Sequence, residues 1–144
     1  MDRLIDSLKR THADNFAFYM KAQGYHWNVE GILFSQFHSF FGSIYEDVQG
    51  AIDPLAEEIR AMGSYAPFTM EQLDAVRTIR GSVESTSPIE MTSDLLEANN
   101  ILLGALNETF KLANELNKQG LADFIAGRID AHEKHGWMLR STLK

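Results

Sequence analysis

The architecture is most readily inferred from residues 38–58, HSFFGSIYEDVQGAIDPLAEE. Apolar residues recur every three or four positions along this stretch and its flanks, which is the period of an amphipathic helix. They are Phe37, Phe41, Ile44, Val48, Leu55 and Ile59. The pattern predicts one helix from about Phe34 to Met62, weakened at Gly42 and Gly50 and bent near Pro54, which lacks a backbone N–H.

The same period predicts three other long helices. One face of the first is formed by residues spaced three or four apart, Ile5, Leu8, His12, Phe16, Tyr19, Gln23 and His26. The third begins within a few residues of Ser93 and ends at Gly120, and the fourth runs from Leu121 to Leu143. Along the third helix the apolar residues are Leu95, Leu102, Leu106, Phe110 and Ala113.

A long connection, residues 63–92, separates the two helix pairs. Within it, Thr69 followed by Gln72 has the spacing of a capping box, so we expect a short helix there. The chain is therefore predicted to be all-α, a single domain over residues 1–144. Its predicted fold is a ferritin-like four-helix bundle with a long crossover between helices 2 and 3 carrying a short extra helix.

Composition limits the classes of function. The 144 residues include no cysteine, which excludes disulfides, thiolate metal sites and cysteine nucleophiles. A formal net charge of −7 provides no overall attraction to nucleic acid or to anionic membranes. No apolar run fits a signal peptide or a membrane span, so a cytoplasmic protein is expected.

The second helix carries side chains that can bind metal at its two ends. Asp53 and Glu57 are four residues apart, so their carboxylates share one helical face about 6 Å apart. His38 lies fifteen residues before Asp53, about 22 Å away along the axis, and cannot share a metal with it in one chain. His26 ends the first helix, and an antiparallel hairpin places it beside His38.

A two-fold axis would join these two ends. If the second helices of two subunits pack antiparallel, the histidines of each meet the carboxylates of the other, and two equivalent sites form. Imidazole with carboxylate suits iron(II) or zinc, and carboxylates help to stabilise iron(III). The usual di-iron bundle within one chain needs two Glu-x-x-His motifs, and this sequence has none.

Each of these residues also has an ordinary structural interpretation. Asp53 can be a helix N-cap with Pro54 in the first turn, where proline is tolerated. Glu57 and Glu58 can be solvated surface charges, and His38, among phenylalanines, can be a core histidine with a satisfied hydrogen bond. Local spacing alone leaves both interpretations open.

Four segments together resemble the Dps miniferritin family over nearly the whole chain. They are YHWNVEG, His38 twelve residues after His26, AIDPLAEEI and HEKHGWMLRSTL. The resemblance implies a hollow shell of twelve subunits, a homo-oligomer. In such a shell iron(II) is oxidised, mostly by hydrogen peroxide, and stored as ferric mineral. It also implies a ferroxidase centre shared across the two-fold interface.

The resemblance assigns roles by position. His26 from one subunit, with Asp53 and Glu57 from its mate, would hold the first iron, and His38 would serve the second. Zinc and manganese are alternative occupants. Trp27 matches an aromatic residue near the centre that intercepts oxidising equivalents, and plain interface packing is its equal alternative.

Gly42 departs from the family pattern, which usually has an aspartate four residues after the second histidine. Glycine supplies no ligand, and Glu46, one turn further on, would have to reach back about 6 Å. The sequence therefore predicts one competent iron site and a weaker second. The alternative function is a structural or iron-binding shell with impaired ferroxidase activity, and a monomeric bundle without metal is a third.

The remaining assignments concern the surface. In the family, iron enters through acidic pores at three-fold axes that are lined near the start of the last helix. Asp123 falls in about that position and Asp130 two turns later, and ordinary surface acids are at least as good an interpretation of both. His132 and His135 are predicted to have a packing or surface role. Some family members bind DNA through a lysine-rich N-terminal tail. The first ten residues here balance three basic against two acidic side chains, so no DNA binding is expected at moderate salt.

Overall fold

A computed structural model of the chain describes all 144 residues and contains six α-helices and no strand. The helices are α1 Asp2–Asn28, α2 Phe34–Gly50, α3 Ile52–Ala61, α4 Met70–Val76, α5 Pro88–Glu115 and α6 Gln119–Thr142. α1 packs against α2 and α5, and α5 packs against α6, while α4 lies in the crossover. The predicted all-α bundle with a crossover helix is confirmed. No helix has both the length and the apolar character needed to cross a membrane.

The predicted single helix from Phe34 to Met62 is wrong, because it is interrupted at Ala51. The N–H of Ala51 donates to the Val48 carbonyl at 3.1 Å, which tightens the last turn of α2. Pro54 has no N–H, so the carbonyl four residues earlier receives no helical hydrogen bond from it. Ala51, between α2 and α3, keeps dihedrals of the right-handed helical region, φ −89° and ψ −12°.

The helix-cap interpretation of Asp53 is also wrong. The N-cap of α3 is Ala51, no side chain caps the helix, and Asp53 lies inside the first turn. A carboxylate there interacts favourably with the positive end of the helix dipole.

The other predicted boundaries differ by a few residues. α5 begins at Pro88 rather than near Ser93, because the Ser87 hydroxyl accepts a hydrogen bond from the Glu90 N–H at 3.3 Å and proline suits the first turn. α5 ends before Gly120, because Asn117 has a φ of 56°. The capping box of α4 is confirmed, with Gln72 N–H donating to Thr69 Oγ1 at 3.1 Å.

The core confirms the predicted face of α2 and α3, whose six apolar residues are all buried. The predicted face of α1 is partly wrong. Leu8 and His12 are buried, but Ile5, Phe16, Tyr19, Gln23 and His26 are half-buried at the side of the core. The core side of α1 also carries polar residues. They are accommodated because they find partners, as Asn15 Nδ2 does at the Val48 carbonyl, 3.2 Å away.

Asp14 attaches the crossover to α1. Its carboxylate is buried and accepts hydrogen bonds from the N–H groups of Thr78 and Ile79, at 2.6 and 2.9 Å, and from the Thr78 hydroxyl at 2.6 Å. These bonds satisfy two backbone donors in a segment that has no regular structure of its own.

Replacing Asp14 with alanine is expected to lower the free energy of unfolding by about 3 kcal/mol, because it leaves buried donors without partners. Urea denaturation measures this change. Asp74→Ala is the matched control, since that exposed carboxylate only pairs with Arg77 and Arg80 on the surface of the crossover, and little change is expected. Equal losses in the two variants would contradict the anchoring role of Asp14.

Candidate metal centre

His26 and His38 face each other across the turn between α1 and α2. Their rings are stacked, with centroids 3.8 Å apart and planes 14° from parallel. The Nδ1 atom of His26 lies 2.6 Å from the His38 carbonyl oxygen, and Nδ1 of His38 lies 2.7 Å from the His26 carbonyl oxygen. A carbonyl only accepts, so both Nδ1 atoms carry protons. In the neutral rings, each Nε2 is then the atom with a free lone pair.

The stacking determines how the two histidines can bind metal ions. An imidazole lone pair lies in the plane of its ring, at about 2.0–2.1 Å from a bound metal such as zinc. Two nearly parallel rings 3.8 Å apart cannot both point at one ion. If both Nε2 atoms bind metal, each therefore needs a metal position of its own.

Aromatic residues hold the stacked pair on both sides. The ring of Phe34 lies 5.0 Å from His38, and that of Tyr45 lies 5.0 Å from His26. His38 is thus partly what its structural alternative predicted, a half-buried histidine satisfied at one nitrogen. Its second nitrogen has no hydrogen-bond partner within the chain.

The carboxylates lie elsewhere on the chain. Asp53 and Glu57 are exposed on α3 and make no hydrogen bond or ion pair. Within one chain, no three histidine, aspartate or glutamate side chains come close enough together to hold a metal ion. A centre built from these four predicted ligands therefore needs a second chain.

The other predicted site residues are distributed over the surface. Trp27, next to His26 in the sequence, is 59% exposed, and Ile32 and Leu33 in the α1–α2 turn are also exposed. Glu46 is exposed and unpaired on α2, whereas Gly42 is buried against the ring of His26. On α6 both candidate pore residues are exposed, Asp123 without a partner and Asp130 in an ion pair with Lys134 at 3.0 Å.

Sequence reasoning missed a polar network inside the bundle. Asp47 accepts two hydrogen bonds from Arg128, at 3.0 and 2.9 Å, and a third from His135 Nε2 at 2.7 Å. His132 is fully buried, and its Nδ1 bonds to Asn99 Oδ1 at 2.8 Å. The signal was the spacing of Arg128, His132 and His135, which lie on one face of α6.

The network confirms a packing role for His132 and His135. The hydrogen bond from His135 and the Arg128 guanidinium hold the pKa of Asp47 well below its usual range. Burial, with the nearby positive charge of Arg128, lowers the pKa of His132. His132 is therefore neutral, with Nδ1 as donor, and its Nε2 lies 3.3 Å from an Arg128 nitrogen that donates to it.

Comparisons with known proteins agree with this architecture. A model of the ferritin-like domain matches residues 5–144. The crystal structure of the Dps protein of Vibrio cholerae O1 superposes with a TM-score of 0.95 at 30% identity, covering 99% of this chain and 90% of that one. A DNA protection during starvation protein of Brevibacillus brevis is 30% identical over 137 residues, 95% of this chain and 92% of the relative. The chain belongs to the Dps miniferritin family.

Membership supports an iron-storage, ferroxidase-type role in general, and it implies iron binding. The Vibrio protein is described as a member of a broad superfamily of ferritin-like diiron-carboxylate proteins. A low temperature-induced protein of Nostoc sp. is 32% identical to this chain, and the match covers 98% of this chain and 80% of the Nostoc protein. This Dps miniferritin lacks the two Glu-x-x-His motifs that hold the metals inside the usual di-iron bundle.

The buried neutral His132 makes stability depend on pH. Its pKa is depressed in the folded state, so below the unfolded value of about 6.5 the unfolded chain takes up a proton that the native chain does not. Stability therefore falls as pH falls below that value. Asp47 adds a further loss below about pH 4, because its pKa is also depressed.

Urea midpoints at neutral and mildly acidic pH test this dependence. His132→Gln removes the titrating group while keeping a donor and an acceptor, so it is expected to lose less stability than wild type on acidification. His12→Gln is the comparison variant. It keeps the His132 contribution and removes only that of His12, whose pKa is also lowered by burial. If His132→Gln and wild type lost equal stability, the assignment would be wrong.

Proposed function

We propose that this protein is a miniferritin that oxidises iron(II), preferably with hydrogen peroxide, at centres shared between two subunits of a twelve-subunit shell. Ferric mineral is then stored inside the shell. The proposal rests above all on the chain's two separated ligand sets. Near the start of α2 lie two histidines with free Nε2 atoms, and on α3 lie Asp53 and Glu57 without partners.

The ligand types suit this reaction. His26 of one subunit, with Asp53 and Glu57 of its mate, binds the first iron, and His38 serves the second. Imidazole nitrogens bind iron(II), and carboxylates help to stabilise the iron(III) that forms. Hydrogen peroxide accepts two electrons, one from each of two iron(II) ions, and with two protons it becomes two molecules of water.

Several further assignments belong to this proposal. Glu46 approaches the second iron in place of the missing aspartate, while Asp123 and Asp130 line the entry pores. Trp27 is exposed beside His26, where it can donate an electron to an oxidising intermediate or pack against the mate. Zinc and manganese compete for the same ligands.

Gly42 favours a second candidate function, a shell that binds iron but oxidises it poorly. The position offers no carboxylate to the iron beside His38, so the second iron is bound weakly. A two-electron oxidant then finds one firmly bound iron(II) ion at the centre instead of two. The rate of oxidation distinguishes the two functions.

The rate of iron oxidation is the direct test of ferroxidase activity. When assembled anaerobic protein loaded with iron(II) receives hydrogen peroxide, ferric absorbance is expected to rise faster than in air, and the mineral is expected to remain soluble. Asp53→Asn should slow the reaction at least about 100-fold, whereas Glu58→Gln, which changes a neighbouring acid, should not. A wild-type rate equal to that of protein-free iron, with precipitation, would favour the impaired shell.

A complementation experiment tests the sharing of the centre between subunits. In a dimer of one His26→Ala and one Asp53→Asn chain, one of the two sites regains all its ligands. Equal co-expression should therefore restore about a quarter of the sites, since half of randomly formed dimers are mixed. A centre contained within one chain would recover no activity.

DNA binding is expected to be absent at moderate salt. Attraction to phosphates depends on clustered basic side chains, and the chain has a net charge of −7. A gel-shift experiment with the assembled protein at low and moderate salt checks this expectation. A clear shifted band at both salt concentrations would overturn it, and would agree with the name of the Brevibacillus relative.

A further inference from the structure

Gly42 of α2 lies directly against the ring of His26. A Cβ atom built on Gly42 would lie 3.1 Å from both Cε1 and Nδ1 of that ring. Carbon atoms in favourable contact are about 3.5–4.0 Å apart. Any side chain at position 42 therefore requires the imidazole to shift by a few tenths of an ångström.

The imidazole has little freedom to move without losing its other contacts. One face is stacked on His38 at 3.8 Å, and Tyr45 lies 5.0 Å away on another side. Its Nδ1–H donates to the His38 carbonyl at 2.6 Å, a bond that a shift of the Nδ1 edge would lengthen. That bond also fixes the tautomer and the direction of Nε2, as hydrogen bonds of this kind do for histidines that bind metals.

We propose that Gly42 is a positioning residue of the metal centre. Its missing side chain lets His26 lie against α2 with Nδ1 bonded to the His38 carbonyl and Nε2 free for a metal. The missing carboxylate at position 42 and the close stacking of His26 on His38 then have the same cause, the absence of a side chain at Gly42. In this chain an aspartate at position 42 would press on the His26 ring as well as add a ligand. The inference rests on the proposed metal-binding role of His26.

Cobalt(II) titration of the assembled protein, followed by visible absorption, tests the proposal. Gly42→Ala is expected to bind cobalt about 10- to 100-fold more weakly, the usual effect of disturbing a hydrogen bond that orients a ligand. Gly42→Asp is expected to bind its first cobalt ion more weakly than wild type. Gly104→Ala is the matched control, because Gly104 lies within helix α5 and a Cβ there meets nothing within 4 Å.

Crystal structures of the variants supply a readout that does not depend on metal. In Gly42→Ala, the distance from His26 Nδ1 to the His38 carbonyl oxygen is expected to lengthen from 2.6 Å by a few tenths of an ångström, with the ring turned away from α2. The proposal is overturned if the ring keeps its place, or if Gly42→Ala binds cobalt as tightly as wild type. It is also overturned if Gly42→Asp gains a second ion without weakening the first.

The proposed function has a separate test in His26→Ala. If this variant binds cobalt as tightly as wild type, His26 is not a ligand and the proposed centre fails. The crystallographic result for Gly42→Ala would still decide whether position 42 sets the position of the ring.

Discussion

The reciprocal hydrogen bonds between His26 and His38 are the interaction on which the candidate centre depends. They tie the last turn of α1 to the start of α2, and because each acceptor is a backbone carbonyl, they also place a proton on each Nδ1. The backbone carbonyls that orient the two rings thus belong to the same helices that carry the two histidines. The same bonds leave both Nε2 atoms free for metal.

The interior of the bundle is organised for a different purpose. Asp47, Arg128 and His135 form a charged and hydrogen-bonded cluster between α2 and α6, with His132 and Asn99 beside it. An arginine within this cluster repels a cation and already occupies the Asp47 carboxylate. The interior therefore contributes stability and specificity of packing, and the side chains available to metal remain at the end of α1, near the start of α2 and on α3.

Sequence patterns predicted what depends on local periodicity or on cap spacing. The buried face of α2 and α3, the capping box at Thr69 and the pairing of His26 with His38 are of this kind. The interruption at Ala51 was missed because Pro54 predicted a bend at its own position, whereas the missing hydrogen bond belongs to the carbonyl four residues earlier. The buried face of α1 was misjudged because its polar residues find partners elsewhere in the chain, as Asp14 does at Thr78 in the crossover.

The contact of Gly42 with His26 has a counterpart in the bundle interior. A glycine within a helix costs about 1 kcal/mol relative to alanine, and the structure shows what can offset that cost at two positions. Among the ten glycines, only Gly42 and Gly136 have another residue's side chain within 4 Å of where a Cβ would lie. At Gly136 this includes the Asn99 amide nitrogen, at 3.1 Å, which donates to the His132 carbonyl. Both glycines thus admit a hydrogen-bonded side chain close to a helix backbone, one beside the candidate metal centre and one in the buried network.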